Sequence, residues 1–174
     1  MKIRPVILCG GAGTRLWPKK SNHQAKQFID FGGWTLINKT FERVKSKVFD
    51  YPIISTNSKY IKDVKKALKK SRIKKYKIIL EPAKKNTAPA ILASALIKDV
   101  PYNQPLMYFA ADHLIEKPNK LITAINKNKS NLDEKNILIF GIKPTSPSSE
   151  YGYFITKKKK SINKVTKFIE KPKV

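Results

Sequence analysis

The residue types that could do chemistry fall in a few short stretches. Between the apolar Val6-Ile7-Leu8-Cys9 and Leu16-Trp17 lies Gly10-Gly11-Ala12-Gly13-Thr14-Arg15. A loop with so few side chains lets a ligand approach the backbone. Its N–H groups can surround oxyanions, and Arg15 can neutralise developing charge. The stretch is not G-x-x-x-x-G-K-[ST], and Leu16 stands where a G-x-G-x-x-G fingerprint has its third glycine. Phosphate binding and a plain glycine turn both remain open. Lys26 is a second candidate phosphate cation or an ordinary surface lysine. In Glu81-Pro82 and Asn86-Thr87-Ala88-Pro89-Ala90, Asn86 or Thr87 can cap a helix. The small residues there permit a flat ring to lie near the backbone, and Glu81 can accept hydrogen bonds from a base; a plain capped helix is the alternative. Asp112-His113 follows the apolar Met107-Tyr-Phe-Ala-Ala111. A carboxylate at a strand end suits a Mg²⁺ ligand that also holds substrate phosphates. The two histidines and Cys9 lack zinc spacing. Finally, Gly152 in Glu150-Tyr-Gly-Tyr-Phe154 permits close backbone approach. Glu170 and Lys171 could serve hydroxyls and a phosphate, or simply decorate an edge hairpin.

The elements that must position these residues alternate. Strands are expected over 6–9, 51–55, 77–80, 106–110 and 137–142. Helices with apolar residues at helical spacing are expected over 36–48, 59–70, 87–100 and 120–129. Residues 151–156 and 161–169 are expected to form antiparallel strands around a lysine-rich turn. This order predicts an α/β fold: a Rossmann-like, doubly wound, mixed but mostly parallel sheet, formed by one domain over residues 1–174. Such folds bind ligands beyond the carboxyl ends of the strands, where the glycine loop, Glu81 and Asp112 all fall.

Composition narrows the possibilities. The 174 residues, 41% apolar, suffice for one domain with a sizeable core. No run is long and apolar enough for a membrane span, and no signal peptide is evident. The single cysteine, Cys9, excludes an internal disulfide, reads as a core residue and fits the cytoplasm. A net charge of +25 first points to nucleic acid. Only four of the basic residues are arginine, however, and the lysines are spread along the chain. That favours a solvated lysine-rich surface over a base-reading patch.

Taken in order, the motifs are more specific than any one of them. Gly10-Gly-Ala-Gly-Thr-Arg-Leu-Trp-Pro18, Lys26-Gln-Phe28, Glu81-Pro82, Asn86-Thr-Ala-Pro-Ala-Ile91, Ala111-Asp-His113, Gly141-Ile-Lys-Pro-Thr145, Tyr151-Gly-Tyr153 and Phe168-Ile-Glu-Lys-Pro172 occur along the chain. In this order the chain resembles the sugar nucleotidyltransferases, and most closely the mannose-1-phosphate guanylyltransferases. The resemblance implies that GTP and mannose 1-phosphate give GDP-mannose and pyrophosphate, with Mg²⁺ as cofactor. It implies that Arg15, Lys26 and Asp112 are catalytic, Asp112 also binding the metal. It assigns Gly10, Gly11, Gly13, Thr14, Glu81, Asn86 and Ala90 to the nucleotide, and Gly152, Glu170 and Lys171 to the sugar phosphate.

Several positions depart from the family pattern. Ala25 stands where the family commonly has proline before the lysine, Ser148-Ser-Glu150 replaces Glu-Thr-Gly, and Ala111 replaces a proline before Asp112. Members of the family continue well past Glu-Lys-Pro, with further strands and a second metal aspartate. The chain therefore reads as the N-terminal portion of such a domain, expected to work with a complementing C-terminal half or as a homo-oligomer. A nucleotide-binding, non-catalytic remnant is the main alternative, and a basic nucleic-acid-binding protein the weaker one.

Overall fold

The structure is a computed structural model that describes residues 2–11, 25–83, 86–133, 135–157 and 162–173. They group into two compact units, 1–131 and 132–174.

The first unit is built on four parallel strands: β1 (Arg4–Cys9), β2 (Ile53–Asn57), β3 (Lys77–Glu81) and β4 (Leu106–Ala110), in the order β3-β2-β1-β4. The two central strands, RPVILC and IISTN, are buried along nearly their whole length. Near-continuous burial is what a parallel strand covered on both faces requires. Register is set by Val6 opposite Ile53 on one side and Tyr108 on the other.

Helix α1 (Leu36–Arg43) follows β1, and its start is capped by Thr35, whose Oγ1 accepts from the Asn38 N–H at 3.2 Å. Helix α2 (Ile61–Lys70) buries Val64, Ala67 and Leu68 and turns its lysines outward. Asn38 Nδ2 locks the two helices together, donating to Ala67 O at 3.0 Å and Ser71 Oγ at 2.8 Å. Beneath the sheet's amino end Arg4 is buried and pairs with Asp50 at 2.9 Å, while Phe49 and Phe109 pack edge to face.

Helix α3 (Thr87–Ala95) is shorter than its apolar pattern predicts. Pro101 disfavours helical backbone at Val100, and the chain turns at 96–100 instead, with Val100 N–H donating to Ile97 O. Pro118 opens α4 (Pro118–Asn128) at its first turn.

In the second unit β5 (Gly152–Thr156) and β6 (Val165–Glu170) form the expected antiparallel pair, with Gly152 opposite Glu170 and Phe154 opposite Phe168. The expected strand over 137–142 does not form among the described residues. Ile137 and Ile142 are 90% and 92% exposed, and the segment has no ladder partner. A β-branched run has strand propensity, but propensity without a neighbouring edge leaves its N–H and C=O groups to water. Gly141 lies so close to Phe154 that a Cβ there would overlap the ring.

Candidate active site

The four parallel strands bring their carboxyl ends to one edge of the first unit, and the polar residues singled out above collect there. The chain leaves β1 through Gly10 and Gly11. Gly10 lies against the carboxylate of Glu81, the last residue of β3: a Cβ at Gly10 would sit 3.0 Å from Glu81 Oε1. That carboxylate is held from below, because Ser55 Oγ donates to Glu81 Oε1 at 2.8 Å. Asn57 Nδ2 donates to the Glu81 carbonyl at 3.4 Å. Glu81 is thus aimed across the glycine strand end rather than out into solvent.

Gly11 is fixed differently. The buried Gln27 donates through Nε2 to Gly11 O at 3.1 Å, with Cys9 Sγ at 3.7 Å as a second acceptor. Among the described residues, a Cβ at Gly11 would meet nothing within 4 Å. Cys9 itself is buried, and desolvation pushes its thiol up to about 12. It is a core residue, not a nucleophile.

Lys26 opens a short 3₁₀ turn, Lys26–Phe28, which follows the buried Ala25. Its ammonium lies 3.8 Å from Asp112 Oδ2, and both side chains remain partly exposed. In the sheet order β1 and β4 are neighbours, so the residues that follow each of them lie at the same carboxyl edge. Asp112 is two residues beyond β4. Its backbone is held on both sides. Ala111 N–H donates to Leu8 O at 3.1 Å, and the His113 carbonyl accepts from Arg43 Nη2 at 3.1 Å.

Among the described residues no group of three or more His, Cys, Asp or Glu could form a closed metal cage. The donor set fits a different arrangement. Asp112 offers one hard carboxylate, and Mg²⁺ is commonly held by one or two carboxylates together with phosphate oxygens and water.

The remaining candidates divide three ways. Asn86 precedes α3 but its side chain makes no cap; its backbone has φ +62°, a conformation that favours glycine. Ala90 is buried on α3. Gly152, Glu170 and Lys171 lie together in the second unit. There a Cβ at Gly152 would come within 2.5 Å of Phe168 Cζ and 2.9 Å of Glu170 Oε2. The close approach that Gly152 permits is filled by its own cross-strand neighbours. Lys171 Nζ is 3.9 Å from Glu170 Oε1, and its backbone has φ +42°. Gly13, Thr14 and Arg15 lie outside the described residues.

Three residues that hold this edge together had no assigned role in the sequence reading: Gln27, Ser55 and Arg43. Ser55 opens the polar Ser-Thr-Asn half of β2, and nothing in that run marks it as the support of Glu81. Gln27 and Arg43 act through contacts distant in sequence, which spacing does not reveal.

A parallel sheet whose carboxyl edge carries two adjacent glycines, an aimed glutamate and a lysine–aspartate pair has the polar groups where α/β folds of this kind bind ligands. The family profile described as nucleotidyl transferase matches residues 4–174, and the chain belongs to that family. Within it the chain is 34% identical over 177 residues to a mannose-1-phosphate guanylyltransferase of Escherichia coli, covering 98% of this chain and 38% of that protein. A solved structure described as mannose-1-phosphate geranyltransferase from Thermus thermophilus superposes with a TM-score of 0.80 at 27% identity, covering 99% of this chain and 51% of that one. Another, described as mannose-6-phosphate isomerase from Helicobacter pylori, gives a TM-score of 0.78 at 28% identity, covering 99% and 61%. The chain therefore spans less than two thirds of the length of each of these relatives. Among the described residues, no helix is long and apolar enough to cross a membrane.

Proposed function

We propose that this chain supplies the nucleotide-binding part of a mannose-1-phosphate guanylyltransferase, joining GTP and mannose 1-phosphate into GDP-mannose and pyrophosphate. The observation that carries the reading is the convergence of Gly10, Gly11, Lys26, Glu81 and Asp112 on one sheet edge. In the reaction a phosphate oxygen of the sugar phosphate attacks the α-phosphorus, and the bond from that phosphorus to the pyrophosphate oxygen breaks. Positioning and charge stabilisation supply most of the acceleration in such a transfer.

Gly10, Gly11, Gly13 and Thr14 let the triphosphate lie against the backbone. Glu81, fixed by Ser55 at 2.8 Å, accepts from the base, and Asn86 and Ala90 border the base and ribose. Arg15 and Lys26 neutralise the triphosphate and the leaving pyrophosphate. Asp112 would hold Mg²⁺, which when bound neutralises charge on the phosphates. Its pairing with Lys26 keeps both groups partnered before the nucleotide enters. Gly152, Glu170 and Lys171 take the sugar phosphate. Both compact units then belong to one nucleotidyltransferase domain over residues 1–174, a reading supported by a family match that spans them. A reducing cytoplasm suits a lone cysteine that is buried.

The chain spans 38% of the E. coli relative, and this favours a second reading in which it binds nucleotide but turns over only with a complementing half or another copy. Titration of the purified 174-residue chain with GTP and with CTP, with and without Mg²⁺, tests the binding part. Preferential, Mg²⁺-strengthened GTP binding is expected; indifference to both base and metal sinks it. An assay for GDP-mannose separates the two readings. Little or no product is expected from the chain alone, and turnover near a typical ~10 per second would show that nothing more is needed.

A further inference from the structure

Arg43 is the last residue of α1 and 6% exposed. Its Nη2 uses both hydrogens inward: one on Thr40 Oγ1 at 2.6 Å, the other on the His113 carbonyl at 3.1 Å. Its Nε is buried with no hydrogen-bond partner, and among the described residues Arg43 has no ion pair. Burial pulls its guanidinium below the ordinary value. A buried cation without an anion is costly, and a well-packed apolar side chain there would be as stable or more so. The sequence nevertheless places one of its four arginines at this position.

What Arg43 contacts gives the reason. Asp112 sits between two residues whose backbone is tied down from below. Ala111 is tied by its N–H to Leu8 O at the carboxyl end of β1, an ordinary extension of the sheet. Beyond Asp112 the sheet has ended, and the tie comes from a side chain instead, the Arg43 guanidinium on the His113 carbonyl. Thr40 is fully buried one helical turn earlier and fixes the guanidinium's direction. A lysine would offer a rotating point charge instead of a planar fork of fixed direction, and an apolar residue could hold neither acceptor.

We propose that Arg43 is a positioning residue: from the end of α1 it clamps the turn after β4 through the His113 carbonyl, so that the Asp112 carboxylate is presented to the metal–nucleotide complex in one fixed direction. Arg43 does not touch the ligand. The inference rests on the reading of Asp112 as the metal ligand, and it deepens that reading by naming what aims the carboxylate.

Two measurements on the 174-residue chain test it, comparing wild type with Arg43→Met, Arg43→Lys and Asp112→Asn. The first is amide hydrogen exchange over residues 111–115. Arg43→Met should speed exchange there while leaving β1 and β2 protected and the melting temperature within a few degrees of wild type. The second is Mn²⁺ affinity of the GTP complex, read by electron paramagnetic resonance. Removing a group that orients a metal ligand typically weakens metal binding by 10–100-fold, so Arg43→Met should lose about tenfold. Metal-free GTP affinity should be unchanged, and Arg43→Lys should recover part of the loss. Unchanged exchange over 111–115 in Arg43→Met overturns the proposal, with or without nucleotide. So does Arg43→Met keeping Mn²⁺ affinity where Asp112→Asn loses it. If Asp112→Asn itself leaves Mn²⁺ affinity unaltered, the assignment of Asp112 fails separately. A global loss of protection in both Arg43 variants would make the residue merely structural and also overturns the proposal.

Discussion

At the scale of single residues, the two glycines that end β1 make different demands, and the difference is testable. At Gly10 a methyl group would press on the Glu81 carboxylate at 3.0 Å, whether or not a ligand is present. At Gly11 it would meet nothing within 4 Å among the described residues, and the backbone there carries no glycine-requiring φ. Gly11→Ala should therefore leave the free protein's melting temperature within about 2 °C of wild type, as surface substitutions usually do. If the loop is bare so that a triphosphate can lie against it, the same change should weaken GTP binding by tenfold or more. Gly10→Ala should lower both, because it displaces the base-facing glutamate. Calorimetric titration together with thermal melts checks the pair, and undiminished GTP binding by Gly11→Ala would leave that glycine a simple turn. Cys9 gives a pH prediction at the same scale. Its thiol is pushed up to about 12 by burial, from 9.0 in the unfolded chain. Above pH 9 the unfolded state releases this proton and the folded state keeps it, so stability must fall as pH rises through that window. Its limiting slope is ~1.4 kcal/mol per pH unit. Urea unfolding at pH 8 and pH 10.5 should show wild type losing more stability than Cys9→Ala, and equal losses would contradict the burial argument.

At the scale of elements, what could be read from the sequence was what depends on local pattern. β4 stands where its apolar run predicts, and β1, β2 and β3 are displaced by at most two residues. Their runs are short, apolar and bounded by turn residues. Helix ends were less legible. The apolar periodicity over 36–48 carries on past Arg43, but the chain leaves helical geometry at Val44 so that Val48 and Phe49 can pack under β1. The segment 137–142 shows the limit most plainly. Its residues have strand propensity, yet strand formation is a property of two segments, and no described strand pairs with it. The site divides in the same way. Glycines, Glu81 and Asp112 were legible because they interrupt apolar runs at strand ends. The supports were not, since Gln27 reaches Gly11 across 16 residues, Ser55 reaches Glu81 across 26 and Arg43 reaches His113 across 70. Gly152 was legible as a residue with room for nothing larger than glycine, and the structure adds the neighbours that crowd it, Phe168 and the Glu170 carboxylate.

At the scale of the whole molecule, two surface properties oppose each other. Helix α3 carries no charge in TAPAILASA, and a helix apolar on all sides belongs in an interior. Here Leu92 is 60% exposed and the next residue after the helix, Leu96, 72% exposed. In the second unit Ile137 and Ile142 are more open still. Apolar surface of this kind favours association. Against it stands a net charge of +25, which makes any two copies repel. Repulsion between exposed charges is screened over a Debye length of ~10 Å at 0.1 M salt and ~3 Å at 1 M, whereas apolar attraction is not weakened by screening. The chain should therefore be most nearly monomeric at low salt and associate progressively as salt rises, the opposite of an assembly held by ion pairs. Sedimentation velocity at 20–100 µM protein in 0.05, 0.2 and 1 M NaCl reads this directly. Leu92→Glu with Leu96→Lys, which adds no net charge, should shift the onset of association to higher salt while leaving GTP binding as in wild type. A chain that is monomeric at every salt concentration would show that the exposed leucines cost too little to matter. Association that dissolves on adding salt would mean that charge, not apolar surface, brings copies together.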